Sequence, residues 1–175
     1  MVKKIGIALF ILLIAYLALA ALRPDHFAVE RTALIKAPPE RIYPLLADFH
    51  AWDRWSPWAH LDPAMKTAYS GTASGPGAIY EWNGNKSVGQ GRMEITAAAP
   101  PSSVQIQLDF LAPFESHNIA RFTLQPQGDS TQVLWRMEGP SPYVSRLIGV
   151  FISMDDMVGK DFDTGLAKLK SVAEQ

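Results

Sequence analysis

The chain has 175 residues, 48% of them hydrophobic, with a formal net charge of -1 and no cysteine. That length fits one ordinary domain with a single core. The near-zero charge argues against a nucleic-acid partner, which needs a concentrated basic surface, and the missing thiols exclude disulfides, thiolate nucleophiles and thiolate metal sites.

Met1, Lys3 and Lys4 precede an uncharged, mostly apolar run from Ile5 to Leu22. A helix over this run covers ~27 Å, close to the ~30 Å hydrocarbon core of a bilayer. The lysines are expected to stay in the cytoplasm, which places the remainder on the periplasmic or extracellular side. Two readings of residues 1–23 stand. Ala18-Leu19-Ala20 is a small-residue cleavage pattern, so the segment is a signal peptide and the product is secreted. The run also continues through Ala21 and Leu22 to Arg23, which favours a retained membrane anchor ahead of a domain at 24–175.

Phe27 to Lys36 is rich in Val, Thr and Ile and reads as a first strand. Pro39 suits the first turn of a short helix, Glu40 to Asp48, that buries Ile42, Leu45 and Leu46, with Pro44 as a kink. Phe49 to Trp58 follows and holds three of the five tryptophans. Period-two alternation then takes over. Met65 to Tyr69 is a strand, and Gly71 to Gly77 a turn. Ala78, Tyr80 and Trp82 alternate with Ile79 and Glu81, and Asn83-Gly84 predicts a hairpin turn. Gly89, Gly91, Met93, Ile95 and Ala97 share one face of the next strand. Val104, Ile106, Leu108 and Phe110 repeat the pattern, as do Ala120, Phe122 and Leu124, then Val133, Trp135 and Met137. About seven strands result, joined by short turns and apolar on one face, which is an antiparallel meander.

From Val144 the apolar positions Leu147, Phe151, Met154, Val158, Phe162, Leu169 and Val172 recur at helical spacing, predicting a long helix over Pro142 to Val172 with bends possible at Gly149 and Gly159. Unbroken, it reaches roughly 45 Å. A curved antiparallel sheet wrapped around this helix gives every element a partner, an α+β architecture. Val144 to Met154 is apolar on more than one face. It either touches lipid or is buried beneath the loop at Pro113 and Phe114.

Several stretches carry a family resemblance: Ala37-Pro38-Pro39-Glu40, Trp52-Asp53-Arg54-Trp55-Ser56-Pro57-Trp58, Gly75-Pro76-Gly77 followed by Tyr80-Glu81-Trp82, Thr131 to Met137, and Met154 to Lys170. With the element order, these resemble the SRPBCC superfamily, in its polyketide cyclase/dehydrase and lipid-transport branch. The resemblance covers Phe27 to Val172. It implies a START-like helix-grip fold with an apolar cavity between sheet and helix. Carriers, cyclases and hydrolase-like enzymes all use that fold, so it does not choose an activity.

Candidate ligand contacts are Trp55 and Trp58 at the cavity mouth, Tyr80, Trp82, Met93, Phe110, Phe122, Trp135 and Met137 on the sheet, and Phe151, Met154 and Phe162 on the helix. The alternative for each is packing, since a solid core uses the same residue types. Buried indole N–H groups and the Tyr80 hydroxyl need partners and offer a ligand its few polar contacts. The four histidines lack metal-site spacing. No catalytic residue, metal or cofactor is assigned, and alternation turns Asp109 and Glu138 outward. The expected function is binding, with transport as an extension, of a small hydrophobic molecule or lipid by a membrane-tethered domain. An enzyme acting on a hydrophobic substrate and a protein-interaction domain are the alternatives.

Overall fold

The computed structural model describes residues 2–175. Helix α1, Val2–Ala21, is long and apolar enough to cross a membrane and stands almost unburied beside the domain. Strand β1, His26–Ile35, leads to helix α2, Pro39–Ala47, and a 3-10 helix, Phe49–Arg54. Six strands follow: β2 Lys66–Gly71, β3 Ala78–Asn83, β4 Gln90–Ala99, β5 Ser103–Ala112, β6 Ser116–Gln127 and β7 Ser130–Pro140. Helices α3, Tyr143–Gly149, and α4, Met154–Ala173, close the chain.

The seven strands form one antiparallel sheet in the order β1-β7-β6-β5-β4-β3-β2. Its inner face is apolar and packs on α4 and α2, as one-faced alternation requires. The outer face carries side-chain pairs such as Arg92 with Glu94 and Arg136 with Glu138. β2 is exposed along its whole length and is an edge.

Several local expectations are corrected. The predicted helix over Pro142 to Val172 breaks between Gly149 and Met154. A capping box restarts it: the Ser153 hydroxyl accepts from Asp156 N–H at 3.1 Å, and the Asp156 carboxylate accepts from Ser153 N–H at 2.9 Å. Gly159 makes no bend; it lies within α4, where a Cβ would strike the Arg31 guanidinium.

In β4 a register shift follows Ile95, so Ala98 rather than Ala97 packs on the core. The two ends of β3 and β4 are joined not by a tight Asn83-Gly84 turn but by the loop Gly84–Gly89. The Asp62 carboxylate accepts from Asn85 N–H at 2.7 Å, and the Val88 carbonyl accepts from Trp82 Nε1 at 2.9 Å. Gly89 is therefore a turn residue with φ +66°, packed against the Ala112 carbonyl.

Candidate functional site

Cross-strand register sorts the inner face into rows. The middle row, Val29, Met137, Ala120, Ile106 and Ile95, is buried throughout. The next row toward the β6–β7 turn holds Arg31, Trp135, Phe122 and Val104. Here the grip is filled with rings. Trp135 lies parallel to Phe162 of α4, with centroids 4.0 Å apart and planes within 6°. Trp55 meets Phe122 and Trp135 edge-on at 5.9 and 5.7 Å, and Trp52 lies 4.6 Å from Trp55. Gly165 permits this approach, since a Cβ there would meet Trp135 and Pro57. The indole N–H groups of Trp52 and Trp55 donate to the Leu46 and Leu45 carbonyls.

The row toward α1 is different. It runs Phe27, Gly139, Asn118, Leu108, Met93 and Tyr80. Phe27, Leu108 and Tyr80 are only half-buried, as are Phe110 one step further out and Met154 and Val158 on α4. The helix begins late: Asp155 in its first turn grips Arg31, at 2.7 and 3.0 Å, one row beyond the middle. Asn118 sits in this row, 2% exposed, on the apolar phase of β6. Its Nδ2 donates to Ser116 at 3.2 Å, while its Oδ1 has no partner. Gly139 makes room for it, since a Cβ at that position would overlap Oδ1. Trp135 Nε1 is the second buried side-chain atom on the inner face without a partner.

The expected contacts thus separate into groups. Trp55, Phe122, Trp135 and Phe162 are interlocked in the filled half, and Met137 is buried in the middle row. Toward the other end of the grip Met93 and Trp82 are buried and Tyr80 and Phe110 half-buried, while Trp58 is half-buried against Trp135 and Phe162, and Met154 opens α4. Phe151 lies apart, 78% exposed and stacked on Tyr16 of α1. Burial, followed by the nearby Tyr69 and Asp53, pushes the Tyr80 hydroxyl up to about 12, so it remains protonated at neutral pH. Asn118 was missed by alternation alone, although a polar residue two positions before Ala120 on the apolar phase was its visible signal.

A cluster of ionisable side chains, His117, Asp109 and Glu115, lies on the other face. His117 lies 2.9 Å from Asp109 and 3.5 Å from Glu115, outside the grip. The hydrogen bond with Asp109 holds the His117 imidazole above its ordinary pKa, against a smaller opposing effect of burial. A shallow cleft of about 510 Å³ is lined by His117, Ile119, Arg136 and Glu138 of this face and reaches Phe27 and Gly139 at the end of the sheet toward α1. Another, of about 210 Å³, lies at the β2–β3 hairpin beside His50 and Tyr69. Among the described residues, no group of three or more His, Asp or Glu side chains could hold a metal ion.

A curved antiparallel sheet gripping one C-terminal helix defines a helix-grip α+β domain. The family described as polyketide cyclase / dehydrase and lipid transport matches residues 26–174, and the chain belongs to it. No curated protein sequence matches the chain. Solved structures share the fold. Protein CV1439 from Chromobacterium violaceum is 18% identical, with 87% of this chain and 99% of that one covered at a TM-score of 0.59. Aha1 from Colwellia psychrerythraea, a dimer in solution, is 21% identical over 85% of this chain and 96% of its own, with a TM-score of 0.57. DynU16, from the dynemicin biosynthetic locus, is 14% identical over 87% of this chain and 48% of its own, with a TM-score of 0.59.

Proposed function

We propose that the domain binds a hydrophobic small molecule or lipid at the open end of the grip, and that α1 tethers it to the membrane from which the ligand comes. Asn118 carries this reading. A buried acceptor without a partner costs about 1–3 kcal/mol, and a hydroxyl or N–H on a ligand would remove that cost. Leu108, the cross-strand partner of Asn118, and Phe27, beside Gly139, are its half-buried apolar neighbours. The ligand class is therefore an apolar body with one hydrogen-bond donor, such as a long-chain alcohol or a phenol. Burial at ~25 cal/mol per Å² supplies the affinity, and the single polar contact sets orientation. The carrier reading is preferred to a cyclase because the His117–Asp109 pair sits on the opposite face of the sheet from Asn118.

The test is titration of the domain starting at Pro24 with N-phenyl-1-naphthylamine, an apolar fluorophore bearing one N–H. We expect saturable binding that 1-dodecanol displaces. Asn118→Leu should weaken the alcohol about tenfold, equivalent to ~1.4 kcal/mol, while leaving the empty fold as stable or more so. Uptake without saturation, or an Asn118→Leu domain that binds dodecanol unchanged, would overturn the reading.

A further inference from the structure

Helix α3 has a built contact with α1 and a second face that nothing in the domain covers. On the contact side, the Tyr143 hydroxyl donates to the Leu17 carbonyl at 3.1 Å, and the Tyr16 hydroxyl donates to the Leu147 carbonyl at 2.9 Å. Arg146 Nη1 reaches the Ala21 and Arg23 carbonyls at 3.4 and 3.3 Å, where a cation suits the C-terminal end of α1. Leu17 to Ala21 covers ~6 Å of helix axis. These contacts therefore fix α3 beside the last turns of α1.

On the other side, Val144, Ile148 and Ile152 are more than half exposed, and Phe151 exposes all but the ring face against Tyr16. From Pro140 to Ser153 the only charged residue is Arg146. The β5–β6 hairpin lies at the same end of the sheet as the β7–α3 junction. It adds Phe114, 82% exposed at its tip. Apolar side chains exposed together at one end of a domain mark an interface.

We propose that α3 lies in the plane of the bilayer at the point where α1 leaves it, with its open face and the Phe114 tip dipped into the headgroup–acyl boundary. The occupant is lipid rather than a protein because α3 is bonded to the end of a helix that is itself apolar all round and almost unburied. If α1 spans, the depth of α3 is set by those bonds. In-plane helices bury their apolar face ~5–10 Å into this boundary, and Tyr16 and Tyr143 are residue types enriched at that level. The inference rests on the tethered reading of α1. It also turns the open end of the grip toward the membrane, since β1 enters the sheet there directly after α1.

The absence of cysteine makes the experiment clean. Single substitutions Ile148→Cys, Phe114→Cys, Ile11→Cys and Asp129→Cys are labelled with the environment-sensitive fluorophore NBD in the full chain. The labelled chains are reconstituted into phosphatidylcholine–phosphatidylglycerol vesicles with or without 5-doxyl phosphatidylcholine. We expect the labels at positions 148 and 114 to be quenched at least about twice as strongly as that at 129, in the distant β6–β7 turn, as shallow insertion requires. Quenching at 11 with none at 148 would overturn the in-plane placement while leaving the tether intact. An emission blue-shift at 148 without quenching would assign the face to a second copy of this chain instead. No quenching at 11 would overturn the tether, and the proposal with it.

Discussion

His117 and Asn118 are adjacent on β6 and point to opposite faces of the sheet, and their surroundings divide chemistry from binding. Burial alone pushes the Asp109 carboxyl up, but hydrogen bonds from Gln107 and His117 outweigh it and hold it below its ordinary value. His117 is held above its own. The two shifts bound a pH window. A raised imidazole contributes stability that is fully present below its ordinary pKa of 6.5 and is lost as pH rises through the folded value. A lowered carboxylate contributes stability present above 3.8 and lost as pH falls through its folded value. His117 is exposed enough for salt to screen the pair, so the effect belongs in a titration rather than a melting curve. Followed by NMR, the His117 ring should titrate above 6.5 in the parent and move down in Asp109→Asn. Equal midpoints in the two proteins would show that the pair is not formed in solution.

At the level of elements, the break between α3 and α4 decides how much of the sheet is covered. Ser153 is the residue to change. Losing an N-cap of this type costs about 1 kcal/mol, with a range of ~0.5–2. Ser153→Ala should therefore lower the unfolding free energy of the domain, measured by urea titration, by that amount, and Ser153→Asp should restore most of it. No change in Ser153→Ala would mean that the first turn of α4 is held by the Arg31–Asp155 contact instead.

The same break shows what the sequence could and could not reveal. Strands were legible because one face is apolar and the other wet, which imposes period two without reference to distant residues. The helix break was not, because Val150, Phe151 and Ile152 continue the apolar run and conceal the stop. The β4 bulge was equally silent, since Ala97 and Ala98 are the same residue on either phase. The β3–β4 turn was decided by Asp62, far away in sequence, capturing the Asn85 N–H. The site divides in the same way. Aromatic residues on the inner face were visible by alternation, but only the register shows which row is filled and which is open.

For the molecule as a whole, the question is whether α1 stays attached. Ala18-Leu19-Ala20 would suit a signal peptidase, and length alone does not decide against it. The contacts of α1 bear on it, in favour of the tethered reading proposed above. Ala20 is fully buried, and Tyr16 and Leu17, on the side a cleavage would discard, each share a hydrogen bond with α3. A segment destined for removal has no physical need of specific bonds to the mature domain. Cutting after Ala20 would also leave α3 with both faces bare, a large apolar exposure for a free protein in water. We therefore expect the intact mass of the protein from washed membranes to include residues up to and beyond Ala20 on the N-terminal side. We also expect Tyr16→Ala to leave it membrane-bound while loosening α3, seen as faster amide exchange over 143–149. A mature chain beginning at Ala21, recovered in the soluble fraction, would mean that α3 finds another cover and that the domain works untethered.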